Sequence, residues 1–121
     1  LKDEQTFSPI LQELKEKKIK FVFHALSAHK TPKQLSAQIK KTKAKIFIAG
    51  AGLSSALPGV VASQTIKPVI GAVVANNFEG LDSLLSTMQM PPEMPVLAVG
   101  PKNPSASAKH AQNYLEKFQG K

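Results

Sequence analysis

The 121-residue chain contains no cysteine, which excludes a disulfide framework and a thiol nucleophile. Arginine is absent as well: all sixteen basic residues are lysine. Any phosphate is therefore held by flexible point charges rather than by a planar, two-pronged guanidinium. No apolar run approaches the length of a membrane span, and the N-terminus lacks the pattern of a signal peptide. A soluble cytoplasmic protein with no membrane partner is expected. Low-complexity tracts, internal repeats and linkers are missing too, so residues 1–121 read as one domain with a single core.

What is present is an ordinary globular composition, 42% apolar, carrying a formal charge of +8. That charge favours anionic partners, through steering more than through specific contacts. The lysines concentrate in Lys15–Lys20 and Lys40–Lys45, each run closing a helix just ahead of a strand, where cations suit the helix dipole. Aromatic residues do not interleave with them, so a solvated rim is expected rather than a nucleic-acid surface. A basic nucleic-acid module remains a rival that steep salt dependence of binding would support. The three histidines and few carboxylates show no metal-ligand spacing, and no metal is expected.

The chain alternates helix and strand. Phe7, Ile10, Leu11 and Leu14 follow helical spacing. Residues 19–26 read as a strand, with Phe21, Val22 and Phe23 favouring β structure. Thr31-Pro32-Lys33-Gln34 marks a helix start, with a capping hydroxyl, proline at the first helical position and glutamine three residues after the cap. That helix runs to about Lys41. Strands are expected at 45–49, 68–74 and 95–99, a glycine-bearing turn at 50–55, and helices at 56–64, 81–88 and 105–118, the last with Ala111, Leu115 and Phe118 facing inward. This order predicts an α/β fold: a three-layer sandwich, flavodoxin-like, with a central parallel sheet. Ser27-Ala28-His29-Lys30 then falls at the carboxyl end of a strand, where open α/β sheets place their ligand sites. His24, within a strand, and His110, on a polar helix face, read as structural or exposed.

Three phrases carry a family resemblance: Ser27-Ala28-His29-Lys30-Thr31-Pro32; Ile48-Ala49-Gly50-Ala51-Gly52 running into Leu57-Pro58-Gly59; and Gly80-Leu81-Asp82-Ser83-Leu84-Leu85 running into Gln89-Met90-Pro91. Their order and spacing, over roughly three quarters of the chain, resemble the class I aminoimidazole ribonucleotide carboxylase family of purine biosynthesis (PurE). Bacterial members of that family are N5-carboxyaminoimidazole ribonucleotide mutases. The resemblance implies migration of a carboxylate from N5 to C4 of the imidazole through release and recapture of carbon dioxide. It implies neither a metal nor an organic cofactor, a ribonucleotide substrate rather than nucleic acid, and a homo-oligomer, an octamer with sites at subunit junctions.

Residue by residue, the resemblance makes His29 the general acid and base. Imidazole suits a group that must donate and then accept a proton near neutral pH. It gives phosphate and ribose to Ser27, Lys30 and Asp3, although Asp3 also reads as a helix cap. It places Ala51, Gly52 and Leu57 against the substrate, with bare backbone approaching the imidazole at the Ala49–Gly52 turn.

The sequence departs from the family at several points. Lys30 stands where arginine is usual, keeping the charge but not the bidentate grip. Ala56 replaces a histidine near the active site, and Lys2-Asp3 replaces the end of a Gly-Ser-x-Ser-Asp phosphate loop. An interior strand precedes that loop in the family, so residues are expected before Leu1. The family's asparagine near the last helix corresponds to Ala106 without a gap, or to Asn103 with one. Two alternatives follow: a non-catalytic PurE-like paralogue that binds a nucleotide or partner, and direct carboxylation of aminoimidazole ribonucleotide. Asp82 with no serine elbow does not support a hydrolase.

Overall fold

The computed structural model describes residues 7–26, 30–51, 57–73, 96–99 and 106–119. Helix α1 is Ser8–Glu16, α2 is Pro32–Lys41, β1 is Phe47–Ala51, α3 is Leu57–Ser63, β2 is Val69–Val73, β3 is Leu97–Val99 and α4 is Ala106–Tyr114. A π-helical turn, Leu115–Gln119, continues α4. The helix expected at 81–88, with Asp82 and the Gln89-Met90-Pro91 phrase, lies outside the described residues.

The sheet is parallel in the order β1-β2-β3, with Phe47 opposite Val69 and Ala51 opposite Val73. Ile70 pairs with Leu97, and Ala72 with Val99. Because strand side chains alternate, this register divides the sheet into two apolar faces. Phe47, Ala49 and Val69 pack with Leu35 and Ile39 of α2 and with Val61 of α3. On the other face Ile48 and Ala72 meet Ile10 and Leu14 of α1 and Ala108 of α4, while Ile70 meets Ala111. Burial on both sides explains why these strands read as unbroken apolar runs. The fold matches the three-layer expectation.

α1 ends in a Schellman motif: Ile19 N–H donates to Leu14 O and Lys18 N–H to Lys15 O, both at 3.0 Å. Its left-handed position is filled not by glycine but by Lys18, at φ 59°. Among the described residues, α1, α2, α3 and α4 with its π-helical turn match the expected helices to within a residue or two, and β1, β2 and β3 match the expected strands at 45–49, 68–74 and 95–99 to within about two.

The expectation at 19–26 needs correction. These residues form no strand, although their exposure alternates as a strand's would from Ile19 to His24. A strand requires a ladder partner for its N–H and C=O groups, and among the described residues β1 pairs only with β2. The segment is held by its side chains instead. Ile19 and Phe21 pack on the α1 face, and Leu26 reaches the cluster of Leu35, Ala49 and Val61.

Two smaller differences concern turns. The Thr31 hydroxyl makes no cap hydrogen bond to α2, because at φ −131° and ψ 53° the residue is off the extended conformation from which a cap reaches back. Its carbonyl accepts from Leu35 N–H at 3.0 Å. The turn expected from Gly50 begins later, since β1 continues through Gly50 to Ala51. Gly50 is needed there for closeness: an added Cβ would meet the Phe7 ring, 2.7 Å from Cζ and 2.9 Å from Cδ1.

Candidate active site

All three strands run the same way, so the chain leaves Ala51, Val73 and Val99 at one end of the sheet. Residues 27–29 lie outside the described residues, but their neighbours on both sides are described. Upstream, Leu26 packs against the cluster of Leu35, Ile39, Ala49, Val61 and Val69, and downstream Lys30 and Thr31 lead directly into α2. Leu57, which follows the glycine phrase, packs against the same cluster. One apolar cluster therefore anchors Leu26, Ala49 and Leu57, the flanks of two of the three motif phrases. A second tie fixes the first phrase: the Gln38 amide nitrogen donates to His24 Nε2 at 2.7 Å, joining residues 19–26 to α2 on either side of the turn.

Asp3, Ser27, His29 and Gly52 lie outside the described residues, as does Ala56. Ala51 is described as the last residue of β1. Leu57 is half-buried, with its side chain in the core cluster. Lys30 is exposed, immediately before the N-terminus of α2.

The first turn of α2 itself is basic: it holds no acidic residue, Lys30 precedes it, and exposed Lys33 lies within it. A helix N-terminus carries about +0.5 of an elementary charge from its unpaired N–H groups, and lysines there add to it rather than neutralise it. Lys33 is the residue the motif reading passed over, although its place two after Thr31 was visible. His24 and His110 are both exposed. Among the described residues, no three histidine or carboxylate side chains group as metal ligands do, and no helix is long and apolar enough to cross a membrane.

Comparison with known proteins supplies the context for this geometry. The chain is 52% identical over 87 residues to the N5-carboxyaminoimidazole ribonucleotide mutase of Methanocaldococcus jannaschii, covering 72% of the chain and 55% of that protein. It is 39% identical over 100 residues to the enzyme of the same name from Pyrococcus abyssi, covering 76% of the chain and 58% of that protein. The chain thus spans little more than half the length of the curated relatives it matches. The crystal structure of Treponema denticola PurE superposes with a TM-score of 0.86 at 26% identity, covering 98% of the chain and 76% of that structure. The AIR carboxylase family model matches residues 1–119, nearly the whole length, and the chain belongs to that family.

Proposed function

We propose that the protein interconverts the N5-carbamate and C4-carboxylate forms of aminoimidazole ribonucleotide, as the names of its relatives state for them. The observation that carries this reading is the match of the AIR carboxylase family to residues 1–119, supported by the packing of Leu26, Ala49 and Leu57, which neighbour or belong to the histidine and glycine phrases, in one apolar cluster. His29 protonates the carbamate nitrogen as the N–C bond breaks and carbon dioxide leaves. The C4 carbon then attacks carbon dioxide, and His29 removes the C4 proton to restore the ring. One proton is donated and one recovered, so the histidine ends as it began. The pocket must retain carbon dioxide between the two steps and exclude water.

Lys30, Ser27 and the N-terminus of α2 hold the phosphate, with Asp3 on the ribose, and Ala51, Gly52 and Leu57 line the imidazole. Lys33 adds charge at the same helix end. Self-assembly into a homo-oligomer, in which neighbouring copies complete the site, belongs to the same reading.

Turnover of N5-carboxyaminoimidazole ribonucleotide tests it, measured for the parent protein and its His29→Ala variant. The expected result is turnover in the parent and a loss of at least about a hundredfold in the variant. A folded parent without turnover refutes the assignment. An active His29→Ala variant shows that the acid–base group is another residue. Turnover of aminoimidazole ribonucleotide with bicarbonate alone would instead favour direct carboxylation.

A further inference from the structure

Small residues meet on the α1 face of the sheet near the end of β1. Gly50 is paired with Ala72 in the ladder, and Ala72 packs in one cluster with Ala108 of α4. Both alanines are fully buried, at 1% and 0% exposure. The large side chain packed against that cluster here is Phe7, the residue at the N-cap of α1. Its ring lies directly on Gly50: a Cβ at that position would stand 2.7 Å from Cζ and 2.9 Å from Cδ1. The contact is therefore between a ring and bare backbone, closer than any side chain at residue 50 would permit.

Phe7 is also fixed from its own side. Its carbonyl accepts from Ile10 N–H at 3.0 Å and from Leu11 N–H at 3.2 Å, so the residue moves with α1. Ile10 and Leu14 of that helix are buried in the same cluster. Close-packed interiors transmit displacement rather than absorb it. A ring carried on a buried helix and pressed on Gly50 thus sets how near β1 can come to α1. One residue beyond Gly50, β1 ends at Ala51, at the carboxyl end of the sheet.

We infer that Phe7 is a positioning residue for the proposed reaction: its ring, seated on Gly50, fixes the end of β1 against which the imidazole lies. The inference rests on the mutase reading, which sets Ala51 and Gly52 beside that ring. Phe7 acts through the Gly50 backbone and not on the substrate. Carbon dioxide leaves N5 and is then attacked by C4, so the imidazole must keep its place between the two steps. A displacement of about 1 Å at a reacting centre can cost about a hundredfold in rate. Phosphate is held by another element, the N-terminus of α2, so a loosened β1 end acts on kcat more than on KM.

The test is steady-state turnover of N5-carboxyaminoimidazole ribonucleotide by the parent, Phe7→Ala, Phe7→Leu and Leu14→Ala. Each is assayed at a temperature where circular dichroism shows it folded. Leu14 is buried in the same cluster about 10 Å further along α1, so its truncation loosens the helix without reaching Gly50. The expected result for Phe7→Ala is a fall of at least about tenfold in kcat, with KM within about threefold of the parent's. Leu14→Ala should keep kcat within about threefold. Phe7→Leu, which retains most of the bulk, should recover most of the loss. Adding Gly50→Ala to Phe7→Ala places a methyl group in the vacated space and should restore part of kcat. If either alanine variant does not fold, Phe7→Val and Leu14→Val make the same comparison. Unchanged kcat in Phe7→Ala, a loss confined to KM, or an equal loss in Leu14→Ala overturns the positioning role and leaves the mutase reading intact. No recovery in either Phe7→Leu or the double variant overturns it as well. A folded parent without turnover refutes the mutase reading instead, and the positioning role falls with it.

Discussion

Replacing Gly50 by alanine should destabilise the protein, and only because Phe7 is there. A glycine inside a strand normally weakens it by about 0.5–1 kcal/mol relative to alanine. On propensity alone the substitution would therefore stabilise. The structure reverses the sign. A methyl group at Gly50 would fall within 3 Å of three atoms of the Phe7 ring, and the ring is backed by the cluster of Ile10, Leu14, Ala72 and Ala108. Three contacted atoms of a rigid ring cannot step aside as the tip of a lysine can. Overpacking of this kind costs about 1–3 kcal/mol. The two terms leave a net loss of about 1–2 kcal/mol, which lowers the melting temperature by roughly 4–8 °C at this chain length. Urea titration of the parent, Gly50→Ala, Phe7→Ala and the double variant closes a thermodynamic cycle. With the ring gone, Gly50→Ala should become neutral or stabilising, giving a coupling of about 2 kcal/mol. Equal effects of Gly50→Ala with and without the ring would refute the close approach, and with it the seating of α1 on β1.

Two further outcomes follow from the turns at the lysine-bearing end. Lys18 occupies the left-handed position of the α1 Schellman motif, where a side chain costs about 1–2 kcal/mol that glycine avoids. After glycine's greater unfolded-state entropy is subtracted, Lys18→Gly should stabilise by about 0.5–1 kcal/mol in urea titrations. Lys18→Ala should not, and equal effects of the two variants would show that the left-handed backbone costs nothing there. Lys67 bonds the carbonyls of Thr42 and Ala44, with its ammonium 5.8 Å from the centre of the Phe47 ring. Lys67→Met keeps the stem but removes the charge, and should cost about 1–2 kcal/mol. Hydrogen exchange should quicken at Phe47 N–H, which bonds Pro68 O at 3.0 Å beside this clamp.

Periodicity carried most of the fold because two physical rules operate here without interference. Ile10 and Leu14, then Leu35 and Ile39, sit one helical turn apart and are all buried, as an amphipathic helix on a sheet requires. Phe47–Ala49 and Val69–Ala72 are apolar on both faces because helices cover both. Residues 19–26 show where such reading stops. Phe21, Val22 and Phe23 have strand propensity, and exposure alternates around them, yet a strand is a relation between two chains of peptide groups. Local sequence reports one side of that relation only. Gly50 illustrates a second limit. A glycine before a turn and a glycine making room for a ring from forty-three residues earlier look the same in sequence.

The site was legible in a different way, through which residues flank it rather than through periodicity. Ser27 to His29 cannot be placed by burial, since apolar pattern says nothing about a polar turn. Leu26 and Ala49 can, and both pack in one apolar cluster. The charge completes the distinction between the molecule's two ends. At the N-terminus of α2, exposed Lys33 stands where the helix dipole disfavours a cation. At the C-termini of α1 and α2, Lys15, Lys40 and Lys41 stand where the dipole stabilises them without any ligand. The same residue type is therefore disfavoured by the dipole at one helix end and favoured at the other.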